Sequence, residues 1–193
     1  MVNTSDIALF PLNTVLFPQG PLPLRIFETR YTDMVKRCMR EESCFGVVLV
    51  SGGGDTGEAA VVAQIGTTAR IVDFHLLEDG LLGITCLGQR RFKVLSRWRQ
   101  VDGLNMANVE WLAQSPLIAV PGEYWHLADV LRRVLPELGS IYADIKTHFD
   151  DADWVGARLL EIMPLSLGEK QQCLEMDDPI ERLAHLAPFI RRE

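Results

Sequence analysis

Hydrolytic chemistry needs a nucleophile beside a base, and this sequence offers few places to seat one. Ser43 stands next to Cys44, and Ser96 and Ser115 lie elsewhere, but none sits in a GxSxG elbow or a comparable local signature. A hydrolytic site assembled from distant positions stays open as a reading, because triads are spatial arrangements. Metal chemistry needs three or four converging ligands. His75, His126, His148 and His185 are scattered, with no HExxH and no cysteine at ligand spacing. Asp150, Asp151 and Asp153 begin like a calcium loop, with Gly156 suitably placed, but Val155 and Ile162 then occupy positions where oxygen ligands are required. These carboxylates instead suit the positive end of a helix dipole. A phosphate loop would read GxxxxGK[ST]. Here the run Gly52–Gly54 is followed by Asp55, whose charge repels phosphate. No catalytic residue, metal or cofactor is expected.

Two segments remain chemically interesting. From Arg91 to Arg99 a period of two puts Arg91, Lys93, Arg97 and Arg99 on one strand face, with Phe92, Val94 and Trp98 on the other. That basic face reads as a solvated surface paired with acids on a neighbouring strand, as a docking face for an acidic polypeptide, or as a nucleic-acid contact. The formal net charge of −7 opposes the last, since phosphate neutralisation by Lys and Arg supplies most non-specific nucleic-acid affinity. In the second segment, Arg25, Glu28 and Arg30 stand among apolar residues and read as an ion pair that fixes a strand-to-helix junction. If the protein holds peptides, the apolar side chains beside this junction are the natural groove: Phe17, Leu22, Phe27 and Tyr31.

The elements that would position these residues change character along the chain. Apolar runs at Ile7–Phe10 and Thr14–Phe17 are broken by Pro11 and Pro18, and residues 18–23 read as a rigid loop before a strand at Leu24–Phe27. Tyr31, Met34, Val35, Cys38 and Met39 carry helical spacing, which predicts a helix over 28–41. Cys44–Ser51 is a buried strand by its continuous apolar run, and residues 51–58 a flexible tip. Strands are then expected at Ala60–Ile65, Thr67–Leu77, Leu81–Leu87 and Arg91–Arg99, with a hairpin turn at Asp79-Gly80, and a last one near Leu104–Leu112. Beyond a linker at 113–123 the pattern predicts helices at Tyr124–Leu135, Ile141–Phe149 and Asp151–Met163. Capping boxes at Ser166/Glu169 and Asp178/Glu181, the second with Pro179 at the first helical position, start two more. The fold class is therefore α+β: a β-rich domain with one inserted helix over residues 1–116, then a helical subdomain over 117–193. The tail helices, with stripes at Val155, Leu159, Leu160 and Met163 and at Ile180, Leu183, Ala184 and Ala187, are expected to share a small core, since short helices are marginal alone.

The length of 193 residues and an apolar content of 48% suffice for a real core. Four cysteines without a CxxC pair suggest reduced thiols in a cytoplasmic protein. The first ten residues lack a signal peptide's basic and apolar regions, and no apolar window is long enough for a membrane span.

The order of motifs resembles the N-terminal substrate-recognition domain of Lon proteases. LFPLNTVLFPQGPLPLRIFETRYTDMV (9–35) is similar to that family's opening. FGVVLV (45–50), the run 65–95 and VEWL (109–112) follow in its order, and the tail 153–183 resembles its W-V-x-x-R-L-x-E-x-x-P-L then K-Q-x-L-L-E pattern. The resemblance implies a PUA-like β pseudo-barrel followed by helices, and a role in gripping unfolded or exposed polypeptide segments, accessory to proteolysis or chaperoning. No segment matches the family's ATPase or Ser-Lys protease domains, so a stand-alone, non-catalytic module is expected, with at most a weak homodimer. An RNA-associated PUA-like protein and a small hydrolase or peptidase are the alternatives.

Overall fold

The computed structural model describes residues 3–52, 61–143 and 145–190. They form two compact units, 1–113 and 114–193.

The first unit is built on seven strands: β1 (Thr4–Leu12), β2 (Pro21–Ile26), β3 (Phe45–Gly52), β4 (Val61–Val62), β5 (Ile65–Leu76), β6 (Leu82–Arg99) and β7 (Asn105–Trp111). Neighbours run β1-β7-β6-β5-β3, and a parallel β1–β3 pairing returns the last strand to the first. Five strands thus close a pseudo-barrel, which removes most of the open edges a flat sheet would leave. The α+β class expected from the sequence is the one observed. One helix, α1 (Thr29–Arg40), is inserted between β2 and β3. Its Tyr31, Met34, Val35 and Cys38 are buried at the helical spacing, while Met39 is partly exposed. Phe10 stacks on Tyr31 with ring centroids 3.9 Å apart, in a core shared with Phe45, Ile84 and Cys86. Leu9, Val48, Phe92, Ala107 and Val109 form a second cluster.

Several expectations change. Residues 82–99 are one strand of 18 residues rather than two, because Gly88–Arg90 stays extended while β6 exchanges one neighbour for another: β2 pairs with its first half and β7 with its second. Gly88 permits this passage. A Cβ there would lie 2.1 Å from the Phe17 carbonyl oxygen, and the Gly88 N–H and carbonyl bond the Gly20 carbonyl (2.9 Å) and the Gln19 N–H (2.8 Å). Pro21 and Pro23, expected in a loop, lie inside β2. Among the described residues that strand pairs with β6 alone, so only alternate N–H groups are needed for its ladder and prolines two apart are tolerated. Val15, Leu16 and Phe17 are buried but not in a strand. The Asp79-Gly80 turn forms as expected: Gly80 has φ 80°, and the Asp79 side chain accepts from the Leu81 N–H at 3.1 Å. Of the glycine-rich tip at 51–58, Ser51 and Gly52 end β3, and 53–58 lie outside the described residues.

The second unit holds α2 (Trp125–Val134), α3 (Ala152–Ile162), α4 (Leu167–Glu175) and α5 (Pro179–Leu186). The helix expected at Ile141–Phe149 is only a short 3-10 turn at Ser140–Tyr142, its stripe too weak to drive a packed helix. Side-chain caps start three of these helices, α3, α4 and α5. Asp151 accepts from the Asp153 N–H, Ser166 and Glu169 form the full capping box, and Asp178 accepts from the Ile180 N–H with Pro179 behind it. Helix α3 contacts α2, α4 and α5, with Val155, Leu159 and Leu160 buried. The inward face of α5 differs from the expected stripe: Pro179, Arg182, Leu183 and Leu186 are buried and Ala184 is exposed.

Arg182 explains that rotation. Only 3% exposed, it donates from Nε to the Cys173 carbonyl at 3.0 Å and from Nη2 to the Met176 carbonyl at 2.7 Å, and it pairs with Asp153. One guanidinium thereby ties α5 to α3 and to the end of α4. A second buried arginine, Arg158, pairs with Glu161 at 2.6 Å, whose carboxylate also accepts from the Tyr142 hydroxyl at 3.2 Å. The Trp-Val-x-x-Arg-Leu-x-Glu motif is thus a packing device: Trp154 and Val155 are core, and Arg158 and Glu161 are its internal ion pair.

Candidate functional site

The residues singled out from the sequence fall into different environments. Phe17 and Tyr31 are core, and Leu22 packs half-buried against the same cluster. Burial raises the Tyr31 hydroxyl above its ordinary range, although Arg30 and Arg99 pull the other way. Phe27 alone of the four stands out in solvent, 72% exposed. The junction charges divide. Arg30 pairs with Glu28 at 2.6 Å and donates to the Gly103 carbonyl at 3.1 Å, while Arg25 reaches Asp79 on the β5–β6 hairpin.

The basic face does not survive as one face. The register of β6 against β7 shifts between Val94 and Ser96, leaving Leu95 as the extra residue of a β-bulge. A bulge reverses the alternation beyond it. Lys93 lies opposite Glu110 and Arg91 is two residues before it on the same face, whereas Arg97 and Arg99 lie opposite Ala107 and Asn105, on the face of Val94. Arg91 is moreover buried, at 6% exposure.

An apolar surface that the sequence did not single out lies on β5. Phe74 and Leu76 sit opposite Ile84 and Leu82 of β6, which in turn sit opposite Leu24 and Ile26 of β2. Paired residues share a face, so these side chains form two rows across the sheet on the side that carries the α1 core. At the β6 and β2 end the rows are buried or half-buried, but Phe74 and Leu76 are 58% and 76% exposed. The reason is topological. β3 pairs with β5 only as far as Ala69, so among the described residues Arg70–Leu76 has β6 as its single strand neighbour. A groove of about 470 Å³ runs between this free edge and the end of α1, lined by Met39, Ile71, Val72 and Phe74, with Arg70 and Glu42 as polar members. The alternation of Val72, Phe74 and Leu76 is visible in the sequence, but it signals a half-buried strand and carries no mark of a missing neighbour.

Chemically, this arrangement suits holding rather than reacting. An exposed apolar row beside unpaired strand backbone accepts an extended segment by adding a strand, with side-chain pockets alternating along it. The four thiols do not offer a nucleophile of the activated kind. Burial pushes Cys86 up to about 12 and raises Cys38, Cys44 and Cys173 as well, which keeps them protonated. Among the described residues, no three His, Cys, Asp or Glu side chains gather as a metal-binding group, and no helix is long and apolar enough to cross a membrane.

The family model for the ATP-dependent protease La (LON) substrate-binding domain matches residues 6–192. A Lon N-terminal domain protein from Xanthomonas campestris superposes with a TM-score of 0.80 at 37% identity, covering 97% of this chain and 99% of that one. The N-terminal domain of a Mycobacterium avium complex Lon protease shares the fold, with a TM-score of 0.65 at 16% identity over 94% of this chain and 96% of that one. The Lon protease of Anaeromyxobacter dehalogenans is 24% identical over 100% of this chain, and Lon protease 2 of Myxococcus xanthus likewise 24% over 100%. The chain spans about a quarter of the length of these curated relatives, 24% and 25% respectively.

Proposed function

We propose, since the chain belongs to the Lon substrate-binding domain family, that it recognises exposed, extended apolar segments of other polypeptides along the free edge of β5 and catalyses no reaction on them. The observation that carries this reading is the row of Phe74 and Leu76, large apolar side chains held out of the core beside strand backbone with no second strand neighbour among the described residues. Such a surface is costly to leave in water and gains on being covered: burying a Phe or Leu side chain is worth about 1.5–3 kcal/mol. Arg70, Glu42 and the strand's own N–H and carbonyl groups supply the few polar contacts that fix direction. Phe27 extends the same role to the start of α1, whereas Phe17 and Tyr31 are core and Leu22 is half-buried. The module so described serves as an accessory to proteolysis or chaperoning, delivering or holding a client rather than cutting it.

The test uses a short, neutral, fluorescein-labelled peptide in which Leu alternates with Ser, followed by fluorescence anisotropy. The double substitution Phe74→Ser, Leu76→Ser alters exposed side chains and should leave the melting temperature and circular dichroism unchanged. It should weaken binding by about tenfold or more, corresponding to roughly 1.4 kcal/mol. Equal binding by the variant, or no binding by the wild-type protein, overturns the reading.

A further inference from the structure

The outward backbone groups of the β5 edge can be assigned residue by residue. Leu77 closes the β5–β6 hairpin: its N–H bonds the Leu81 carbonyl at 2.8 Å, and its carbonyl accepts from the Gly80 N–H at 2.9 Å. Bonding direction alternates along an antiparallel strand. Leu77, His75 and Asp73 therefore turn their backbone toward β6, while Phe74 and Leu76 turn theirs to the free edge. The register is regular from Leu76 back to Asp73, and Val72 is the extra residue of a bulge. This end of β5 is the one remote from β4, and Val72–Leu76 are all exposed. Asp73 and His75 stand opposite Thr85 and Gly83 on one face of the sheet, with Phe74 and Leu76 on the other. Among the described residues, neither Asp73 nor His75 makes an ion pair or a side-chain hydrogen bond.

We infer that a second copy of this chain docks on this edge, β5 against β5 in antiparallel register with Phe74 opposite its own counterpart, so that pairing masks the client-binding surface. Masking rests on the reading of the edge as the client site, whereas pairing stands without it. The pattern selects the register. A twofold axis normal to the sheet must centre on one residue of the exposed run. Centring on Asp73 sets carboxylate against carboxylate, and centring on His75 sets Asp73 against Leu77. Centring on Phe74 sets each Asp73 against the partner's His75, where an imidazole N–H donates to a carboxylate. The backbone agrees with that choice. Phe74 points its N–H and carbonyl outward, so the central pair exchanges both bonds, and the flanking Asp73–His75 pairs fall at the positions where side chains come closer. In the single chain the His75 ring rests over Gly83, where an added Cβ would come within 2.7 Å of Nε2. The side chain is exposed, and a change of χ1 turns it to the edge. On the other face Phe74 and Leu76, 58% and 76% exposed, meet the same residues of the second copy directly and diagonally. Because the contact is isologous, it consumes both edges and closes at two copies instead of growing. Only a few residues of each copy meet, well below a standard interface, so pairing is reversible and a client segment displaces it.

Sedimentation without peptide reads pairing by itself. The weight-average mass of the full chain should rise from 21.7 kDa toward twice that value as concentration is raised to about 0.5 mM. Asp73→Lys sets a cation against His75, and His75→Glu sets two carboxylates together, so each variant alone should self-associate about tenfold more weakly. An equimolar mixture of the two should recover association, because the introduced lysine then faces the introduced glutamate while the remaining Asp73 faces the remaining His75. Both positions are exposed, so the variants should keep the wild-type melting temperature. The alternating Leu/Ser peptide, added to paired wild type, should return the mass to that of the monomer. A wild type that stays monomeric, a variant that associates like wild type, a mixture that fails to recover, or growth beyond two copies overturns the inference. If the peptide binds yet leaves the dimer intact, masking is overturned and the client reading stands. If pairing follows the charge pattern and the peptide does not bind at all, the client reading fails and the dimer stands.

Discussion

Replacing Arg182 by Met tests whether one buried guanidinium holds the helical unit together. Methionine keeps much of the apolar stem and removes the charge, so packing changes little and the polar loss dominates. Two carbonyls, of Cys173 and Met176, lose their donors, and the Asp153 carboxylate, 20% exposed, loses its cation. Each buried polar group left unmet costs about 1–3 kcal/mol, and breaking a buried ion pair from one side costs about 3–5 kcal/mol. Met176 and Asp153 are partly reachable by water, which recovers some of that loss. The expected cost is therefore about 3 kcal/mol, near the low end of the range. For a unit of this size it corresponds to a fall of roughly 15 °C in the melting temperature of the helical circular dichroism signal. The double-mutant cycle with Asp153→Asn should show coupling of about 1 kcal/mol or more, because the two residues meet directly. A loss below about 1 kcal/mol for Arg182→Met, or additive behaviour in the cycle, would refute the reasoning.

Two further outcomes follow from buried groups. Burial pushes the Glu161 carboxyl from 4.5 up to about 7, against the opposing pull of Arg158. The folded state thus holds the proton more tightly than the unfolded one, so this contribution to stability is fully present below pH 4.5 and is lost as pH rises toward about 7. Melting temperatures measured across that window should decline in the wild type, and Glu161→Gln should flatten the decline; an unchanged slope counts against it. In the barrel, Gly88→Ala drives a methyl group to within 2.1 Å of the Phe17 carbonyl oxygen and disturbs the two backbone bonds to Gln19 and Gly20. The barrel should lose about 1–3 kcal/mol in urea unfolding, and wild-type stability would show that the 17–20 loop yields freely.

Much of the fold is legible in the residues because it depends on local causes. The helical spacing from Tyr31 to Met39 predicts a helix over 28–41, and α1 spans 29–40; the Asp79-Gly80 pair makes its turn, and Asp151, Ser166 and Asp178 each start a helix by satisfying an end N–H. Period, turn conformation and capping act within a few residues, so a linear sequence carries them. The family's motif order is legible for the same reason. What the sequence could not carry is which strand lies beside which. Phe74 and Leu76 read as half-buried because alternation marks a face, yet whether a neighbour covers that face depends on β3 leaving β5 at Ala69. Arg97 and Arg99 read as companions of Arg91 and Lys93 because period two holds along an unbroken strand. The bulge at Leu95, set by the pairing with β7, turns them to the opposite side. Nothing in the sequence marks Arg182 as buried, since a guanidinium alone is costly to bury; it is buried because Asp153 and two carbonyls from other helices converge on it. In each case the deciding atoms belong to a partner far along the chain, and only folding brings them within reach.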